Sequence, residues 1–358
     1  MAEDTLKNPV VLVTGAAGLI GAPLLRDLAP HYDTVAFDVV EPDEKETPTD
    51  WIKCDLTEDE SVASALAQLR DGHGGAVAGV IHLAAYYDFS GEPSPLYREL
   101  TVEGTRRLLR GLQDFDVEQF IFSSSLLVMK PAEPGNVLTE SSPVQAEWEY
   151  PQSKLDTEAL IEKEHGDVPA LVLRIAGVYD EGCHSIPLAQ QIKRIYEKEM
   201  ESYFFPGNAE LGQSFVHLDD VVDCLVRAVE HRGELGPYEV LLIGEPDVVS
   251  YGELQERIGE SLHGTAWPTI RVPKPLAKAG AWVKEKLPDG EKTFIKPWMV
   301  DLADAHYPVD PARAKEKLGW EPRHSLRETL DTMLDRLKQN SQQWYEDNKL
   351  PVPTELKK

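Results

Sequence analysis

Six short apolar runs alternate with segments of helical period over the first half of the chain, and that alternation fixes most of what it can fold into. The runs are Val10–Thr14, Thr34–Phe37, Trp51–Cys54, Val77–Leu83, Gln119–Ser123 and Ala170–Ile175. Between them, Leu19, Leu24, Leu25 and Leu28, or Val62, Leu66 and Leu69, recur at the 3.6-residue spacing of an amphipathic helix. A strand that is apolar along its whole length is buried on both faces. This is the condition of a parallel sheet covered by helices on each side, an α/β architecture. Thr57 and Glu60 read as a capping box opening the second helix.

After Ile175 the rhythm breaks. Pro187, Pro206 and scattered glycines punctuate residues 177–214 around one amphipathic helix near 186–200. Helical signals return at 219–230 and at 250–261, where Ser250 and Glu253 form a second capping box. A further helix is expected around 276–286, after a proline-rich stretch. Asp310-Pro311 reads as a helix start with Gly319 as its stop, and Ser325 with Glu328 opens a last helix. The domain reading is 1–176 for the sheet, with elements from about 215–245 returning to it. Residues 177–358 then form a smaller mixed segment capping its open end.

The run Val11-Leu12-Val13-Thr14-Gly15-Ala16-Ala17-Gly18-Leu19-Ile20-Gly21 sets three glycines at the exit of the first strand. Gly15 permits a tight turn, Gly18 lets backbone approach a pyrophosphate, and Gly21 lets helix and strand pack closely. The following helix N-terminus offers unpaired N–H groups and a positive dipole end to phosphate. Gly15, Ala17, Gly18, Leu19 and Ile20 are therefore the candidate phosphate contacts. Asp38 ends the second strand, 23 positions after Gly15. A carboxylate there can accept from the adenosine ribose hydroxyls and repels a 2′-phosphate, so NAD is expected over NADP.

Charge and cysteine usage exclude other classes. The formal net charge of −26 repels nucleic-acid phosphates and anionic lipid headgroups. No run approaches the ~18 apolar residues of a membrane span. Cys54, Cys183 and Cys224 show no Cys-x-x-Cys spacing, which favours a reducing setting and argues against structural zinc. The N-terminal residues lack the apolar stretch of a secretory signal. A cytoplasmic protein with a small-molecule substrate is expected, with no metal, nucleic-acid or membrane partner.

Further motifs, in order, resemble the extended short-chain dehydrogenase/reductase family, the NAD-dependent epimerase/dehydratase group. Thr14-Gly15-x-x-Gly18-x-x-Gly21 is similar to its nucleotide loop, Cys54-Asp55-Leu56 to its adenine-contacting segment, and His82-Leu83-Ala84-Ala85 to its His-x-Ala-Ala. Phe122-Ser123-Ser124-Ser125 and Tyr150-x-x-x-Lys154 resemble its catalytic segments. Phe215 to Asp220 and Lys317 to Pro322 resemble two later motifs, so the likeness runs from about residue 9 to about 335. It implies a Rossmann-type doubly wound sheet, a substrate-binding C-terminal segment, and NAD held also by Asp55, Leu56, Leu83, Ala84 and Ala85. It further implies that Tyr150 is the general acid/base, that Ser125 bonds the substrate oxygen, and that Lys154 holds the nicotinamide ribose. Tyr150 and Lys154 share one helix face, and a neighbouring ammonium pulls a phenol pKa down from its usual ~10. An isolated pair of this spacing is common on helix surfaces; here it comes with the loop and the serine run. The family commonly dimerises, and Val102, Thr105, Leu108, Leu109 and Leu112 form an apolar stripe that suits a homodimer or an ordinary core face.

The departures narrow the chemistry. Leu126-Leu127 stand where the family's dehydratases carry an Asp-Glu pair, and two apolar side chains cannot shuttle protons. Gly177 stands where its epimerases usually have Asn, and Gln213-Ser214-Phe215 lacks their diphosphate-clamping Arg. Thr101 replaces a usual Asn, which puts an Asn-supported water relay in doubt. What remains resembles the reductase and hydroxysteroid-dehydrogenase-like branch. Tyr86-Tyr87-Asp88-Phe89-Ser90-Gly91 is either an aromatic pocket wall or a loop packed on its own domain. Asp219 and Asp220 read as helix caps and His217 as a packed strand end, in preference to metal ligands. Cys183-His184 reads as a solvated loop pair, and His82 as important through its backbone position. The expected function is NAD-dependent interconversion of a secondary alcohol and a carbonyl. The alternatives are an epimerase, conceivably of a sugar nucleotide, that holds NAD tightly, and a non-catalytic NAD-binding regulator.

Overall fold

The computed structural model describes residues 8–42, 49–89, 91–285 and 295–356. Residues 1–7 of the leader reading, Ser90 of the aromatic segment and Lys286 of the expected helix lie outside them. Seven strands build the central sheet: β1 (Val10–Thr14), β2 (Asp33–Asp38), β3 (Asp50–Lys53), β4 (Gly79–His82), β5 (Phe120–Ser125), β6 (Ala170–Ile175) and β7 (Tyr238–Ile243). Every neighbouring pair is parallel, in the order β7-β6-β5-β4-β1-β2-β3. The sheet is the doubly wound α/β fold that the alternation predicts.

Period-two alternation sends each strand into two cores. Val11, Val13, Leu171 and Leu173 point to one face, where they meet Leu24, Leu25 and Leu28 of α1 (Gly21–Leu28). Val10, Leu12, Ala170 and Val172 point to the other, against α2 (Asp59–His73), α3 (Glu103–Leu112) and α4 (Glu149–Glu164). Parallel strands need crossovers, and these helices are the crossovers. The C-terminal half returns to the sheet twice. β7 pairs along β6 from Tyr238↔Ala170 to Ile243↔Ile175. After α5 (Ile186–Tyr196), α6 (Leu218–Glu230) packs beside α1. A third core joins α5 to α7 (Tyr251–His263) and, beyond α8 (Lys274–Glu285), α9 (Pro297–Leu302) and α10 (Ala312–Leu318), to α11 (Leu326–Gln339).

One local expectation changes and one open alternative is resolved. Thr57 does not cap α2: its N–H and hydroxyl both donate to Asp55 Oδ1, at 2.9 and 2.7 Å, and the helix starts at Asp59. The short Asx turn outcompetes the capping box. On α3, Leu108, Leu109 and Leu112 are wholly buried within the single chain against Leu66 and Leu69 of α2. That stripe is core, not a free association face.

Candidate active site

The strand order reverses between β1 and β4, and in doubly wound sheets ligands bind in the crevice at that point, beyond the carboxyl ends of the strands. Gly15, at φ +68°, would put a Cβ 2.7 Å from Ala84 N, so the turn after β1 lies directly on the segment after β4. A Cβ on Gly21 would stand 2.6 Å from the carbonyl oxygens of Gly15 and Ala16. Gly18 meets only Gly15 O, at 3.2 Å, and with Leu19 and Ile20 it lines a cavity of about 330 Å³. Ala22 and Leu24 of α1 donate to Gly18 O and Ile20 O, both at 3.2 Å, which leaves the N–H groups of Leu19, Ile20 and Gly21 as the anion cradle at the cavity mouth.

Asp38 stands at the tip of β2. Its Oδ2 accepts the Ala17 N–H at 3.0 Å and its Oδ1 the Val40 N–H at 3.1 Å, leaving lone pairs for ribose hydroxyls. Glycine mouth, helix start and carboxylate together fit a dinucleotide. Leu83 and Ala85 line the same cavity, whereas Ala84 turns its N–H to Thr14 Oγ1 at 3.3 Å. Asp55 is held in its own turn with Thr57, and Leu56 is buried beneath Gly104.

Fully buried His82 ties this floor together. Thr105 Oγ1 donates to Thr101 O at 2.6 Å, so it accepts from His82 Nε2–H at 2.8 Å. Nδ1 then accepts from Thr14 Oγ1 at 2.6 Å. Burial, reinforced by the Lys154 charge, pushes its pKa down to about 3. The ring is neutral and structural, and its side chain as well as its backbone fixes the loop.

On the opposite wall, Ser125 ends β5 while α4 carries Tyr150 and Lys154, and all three line the cavity. The Ser125 hydroxyl and the Tyr150 phenol face the same cavity. Burial pushes the phenol up to about 12; the Ser125 hydroxyl pulls it down and Tyr97 adds to the rise. Lys154, expected to tune the phenol, spends a hydrogen bond on the backbone of β5 instead. The physical reason is direction: Lys154 Nζ donates to Ser123 O at 2.6 Å and lies 4.8 Å from the Phe122 ring centroid. Burial lowers the Lys154 pKa to about 7, with Glu158 opposing.

Behind the pair lies an ionic support that motif reading did not single out. Buried Glu158 accepts from Arg174 Nη2 at 2.7 Å and from its Nε at 3.1 and 3.2 Å, and from Ser124 Oγ at 2.5 Å. Its signal was a lone arginine inside the apolar run of β6, since a buried charge needs a partner.

The aromatic segment after β4 is a pocket wall. Tyr87 packs edge-on against Tyr150 at 4.9 Å between centroids, and Phe89 meets Trp148 at 5.2 Å. Trp148 in turn lies 5.0 Å from Trp298. Gly91, at φ +71°, is pressed against Trp298, where a Cβ would sit 2.5 Å from its indole nitrogen. Tyr86 instead packs on Tyr97.

Three other readings change. His217, not an aspartate, caps α6, its Nδ1 accepting the Asp219 N–H at 3.2 Å. Buried Asp220 accepts from the N–H groups of Arg323 and His324 at 3.0 and 2.9 Å, pinning the C-terminal segment. Ligand atoms of His217, Asp219 and His324 lie within 4.8 Å of one another, but these bonds already engage one ring nitrogen of each histidine. Cys183 and His184 are not a solvated pair. The thiol is fully buried at φ 63°, and His184 lines the cavity with Nδ1 2.6 Å from Asp180 Oδ2, which raises its pKa.

Comparison with known proteins agrees with this geometry. The chain is 23% identical to a 3-beta-hydroxysteroid dehydrogenase of Mycolicibacterium neoaurum over 346 residues, covering 90% of each chain. It is 23% identical to a UDP-glucose 4-epimerase of Vibrio cholerae, covering 89% of this chain and 92% of that one. The fold is similar to the crystal structure of the Thermotoga maritima UDP-glucose 4-epimerase with UDP-glucose, with a TM-score of 0.67, 23% identity and coverage of 92% and 99%. Among the described residues no helix is long and apolar enough to cross a membrane. Residues 11–244 match the model of the NAD dependent epimerase/dehydratase family, and the chain belongs to that family of NAD-dependent enzymes.

Proposed function

We propose that the chain is a dehydrogenase/reductase that interconverts an apolar secondary alcohol and its ketone, with Tyr150 as the proton-transfer group. The observation that carries this reading is the convergence of Tyr150, Ser125 and Lys154 on one cavity, between the glycine turn and an aromatic wall. Bound NAD would supply the hydride acceptor, or as NADH the donor. Gly15, Ala17, Gly18, Leu19 and Ile20 would cradle its phosphates, and Asp38 its adenosine ribose. Asp55, Leu56, Leu83, Ala84 and Ala85 would flank it, and Lys154 would reach its second ribose from the floor.

The protein's own steps are few. Ser125 and Tyr150 present two hydroxyls to one substrate oxygen and so fix its position. A phenol held near 12 is protonated at neutral pH, so it serves directly as the acid that protonates a carbonyl oxygen during reduction. Tyr87 and Phe89 give that oxygen an apolar neighbour, and Trp148 continues the wall into the adjoining chamber. Leu126 is buried and Leu127 lines the cavity at the two positions after Ser125, so no second acid is supplied there for elimination.

Residues 1–176 with α6 and β7 would form the cofactor-binding unit, and the rest of 177–358 the substrate-binding unit. A homodimer in a reducing, cytoplasmic setting belongs to the same proposal. Family resemblance supports the first, and the three free, buried thiols support the second. With the α3 stripe spent internally, the outward surfaces of α3 and α4 would form the contact.

The test is NADH absorbance with a panel of apolar secondary alcohols and ketones. Tyr150→Phe should lower turnover on the order of 10²–10⁴-fold while NAD binding is kept. Isomerisation of a substrate without net NADH exchange would replace this reading with an epimerase. NAD binding without any turnover would point to a regulator.

A further inference from the structure

A second chamber of about 250 Å³ adjoins the first, and Phe89, Leu127, Pro187, Gln213 and Tyr307 line both. One face of α5 runs along it: Pro187, Gln191, Arg194 and Ile195 follow the i, i+4, i+7, i+8 rule. Pro187 marks the junction of the chambers. Arg194 lies seven residues further on, roughly 10 Å along the helix axis. Its Nη1 is buried and has no hydrogen-bond partner. A guanidinium cannot shed its charge, and a buried donor left unpaired is costly unless a ligand completes it. The rest of the lining is largely apolar and aromatic, including Trp148, Phe205 and Trp298, with Gln191 and Gln255 as amide donors.

We infer that the second chamber is the substrate's tail site, and that the natural substrate is amphipathic: an alcohol or ketone at Tyr150, an apolar body across the aromatic wall, and a carboxylate on Arg194. Building on the dehydrogenase reading, this names its substrate class. Glu199 and Glu201 act on the Arg194 charge, and Glu201 lines the same chamber. Like-charge repulsion therefore favours a singly charged carboxylate over a dianionic phosphate. Arginine suits a carboxylate through its planar fork of donors.

Two measurements test this separately from turnover. Decanoate should raise the melting temperature of the NAD-saturated protein, whereas decanol at the same concentration should raise it less. In Arg194→Met the advantage of decanoate over decanol should vanish while the decanol response persists. For activity, an oxodecanoate with a methyl-ketone end should exceed its methyl ester at least tenfold in kcat/KM, mainly through KM, and Arg194→Met should erase the difference by raising KM for the acid. Equal binding of decanoate and decanol by the wild type, or equal loss of both in the variant, overturns the inference. Decanoate binding through Arg194 with no reduction of any ketone would uphold the tail site and overturn the dehydrogenase reading. A phosphate-ended decyl chain binding more tightly than decanoate would overturn the choice of carboxylate.

Discussion

Lys154 Nζ lies 2.6 Å from the backbone carbonyl oxygen of Ser123 and donates to it, not to the Tyr150 hydroxyl one helical turn away. In this arrangement the phenol is governed by burial and by Ser125. The sign follows directly. Below about 12 Tyr150 carries its proton, so ketone reduction should have a flat kcat/KM through neutral pH. Alcohol oxidation needs the phenolate, and its kcat/KM should climb about tenfold per pH unit on the alkaline side of neutrality. An oxidation profile that levels off near pH 7 would mean that the phenol is tuned by a charge other than those facing it here.

Ser125→Ala removes the hydroxyl that pulls the Tyr150 pKa down and, in the proposed mechanism, its bond to the substrate oxygen. A lost hydrogen bond in a buried site is worth about 1–3 kcal/mol, so kcat should fall about tenfold to a hundredfold with little change in NAD affinity. The alkaline limb of oxidation should also move to higher pH. A drop in kcat with the limb unmoved would leave Ser125 as a substrate contact only.

His82 gives the fold an acid sensitivity. Its ordinary pKa near 6.5 applies to the unfolded chain, whereas burial holds the folded value at about 3. The unfolded state therefore binds the extra proton between these values, and stability falls as pH drops below 6.5. The slope is about 1.4 kcal/mol per pH unit, or about 2 kcal/mol by pH 5. Urea unfolding at pH 7 and pH 5 measures it. His82→Gln, which cannot titrate yet still has a donor and an acceptor for Thr105 and Thr14, should lose distinctly less; an equal loss would locate the acid lability elsewhere.

Glu158 and Arg174 form a buried pair in which each group leaves the other stranded if removed. Glu158→Ala should destabilise the chain by about 3–5 kcal/mol, because the Arg174 charge stays buried without its partner. Glu158→Met combined with Arg174→Met should recover most of that loss, since apolar groups of similar volume need no compensation. Urea midpoints for the single and double variants decide the point. A double variant as unstable as Glu158→Ala would mean that the bond to Ser124, not the ion pair, is what matters.

Legibility in the sequence followed the number of faces a residue has to satisfy. Val10–Thr14 and Ala170–Ile175 are buried on both sides, so their runs mark β1 and β6 to the residue. β7 was harder to see because Tyr238, Glu239 and Val240 are only half-buried at the sheet edge, where composition relaxes. The four-residue spacing of Tyr150 and Lys154 gave their shared helix face, but spacing cannot say that the ammonium turns toward the sheet. Asp55 was read from a family pattern, and spacing did not show that its Oδ1 would also hold Thr57. Arg194 shows the same limit: its helix face is readable from Pro187, Gln191 and Ile195, whereas the chamber it meets is closed by Trp298 and Met299 of α9, distant in the chain and adjacent in space.

Asp38 does two things at once, and substitution can separate them. Its Oδ2 holds the Ala17 N–H and so shapes the glycine turn, while its charge opposes a 2′-phosphate. Asp38→Ala removes both, and NAD affinity should fall about tenfold to a hundredfold, the range for a charge-assisted hydrogen bond. Asp38→Asn keeps an oxygen acceptor for Ala17, deletes the charge and gives up the acceptor for the Val40 N–H. If charge sets the preference, Asp38→Asn should gain NADP affinity as much as Asp38→Ala does while keeping more of its NAD affinity. If loop shape sets it, Asp38→Asn should behave as wild type toward both dinucleotides. Titration of each variant with NAD and NADP separates the two, and a wild-type protein that binds both equally would remove Asp38 from cofactor choice altogether.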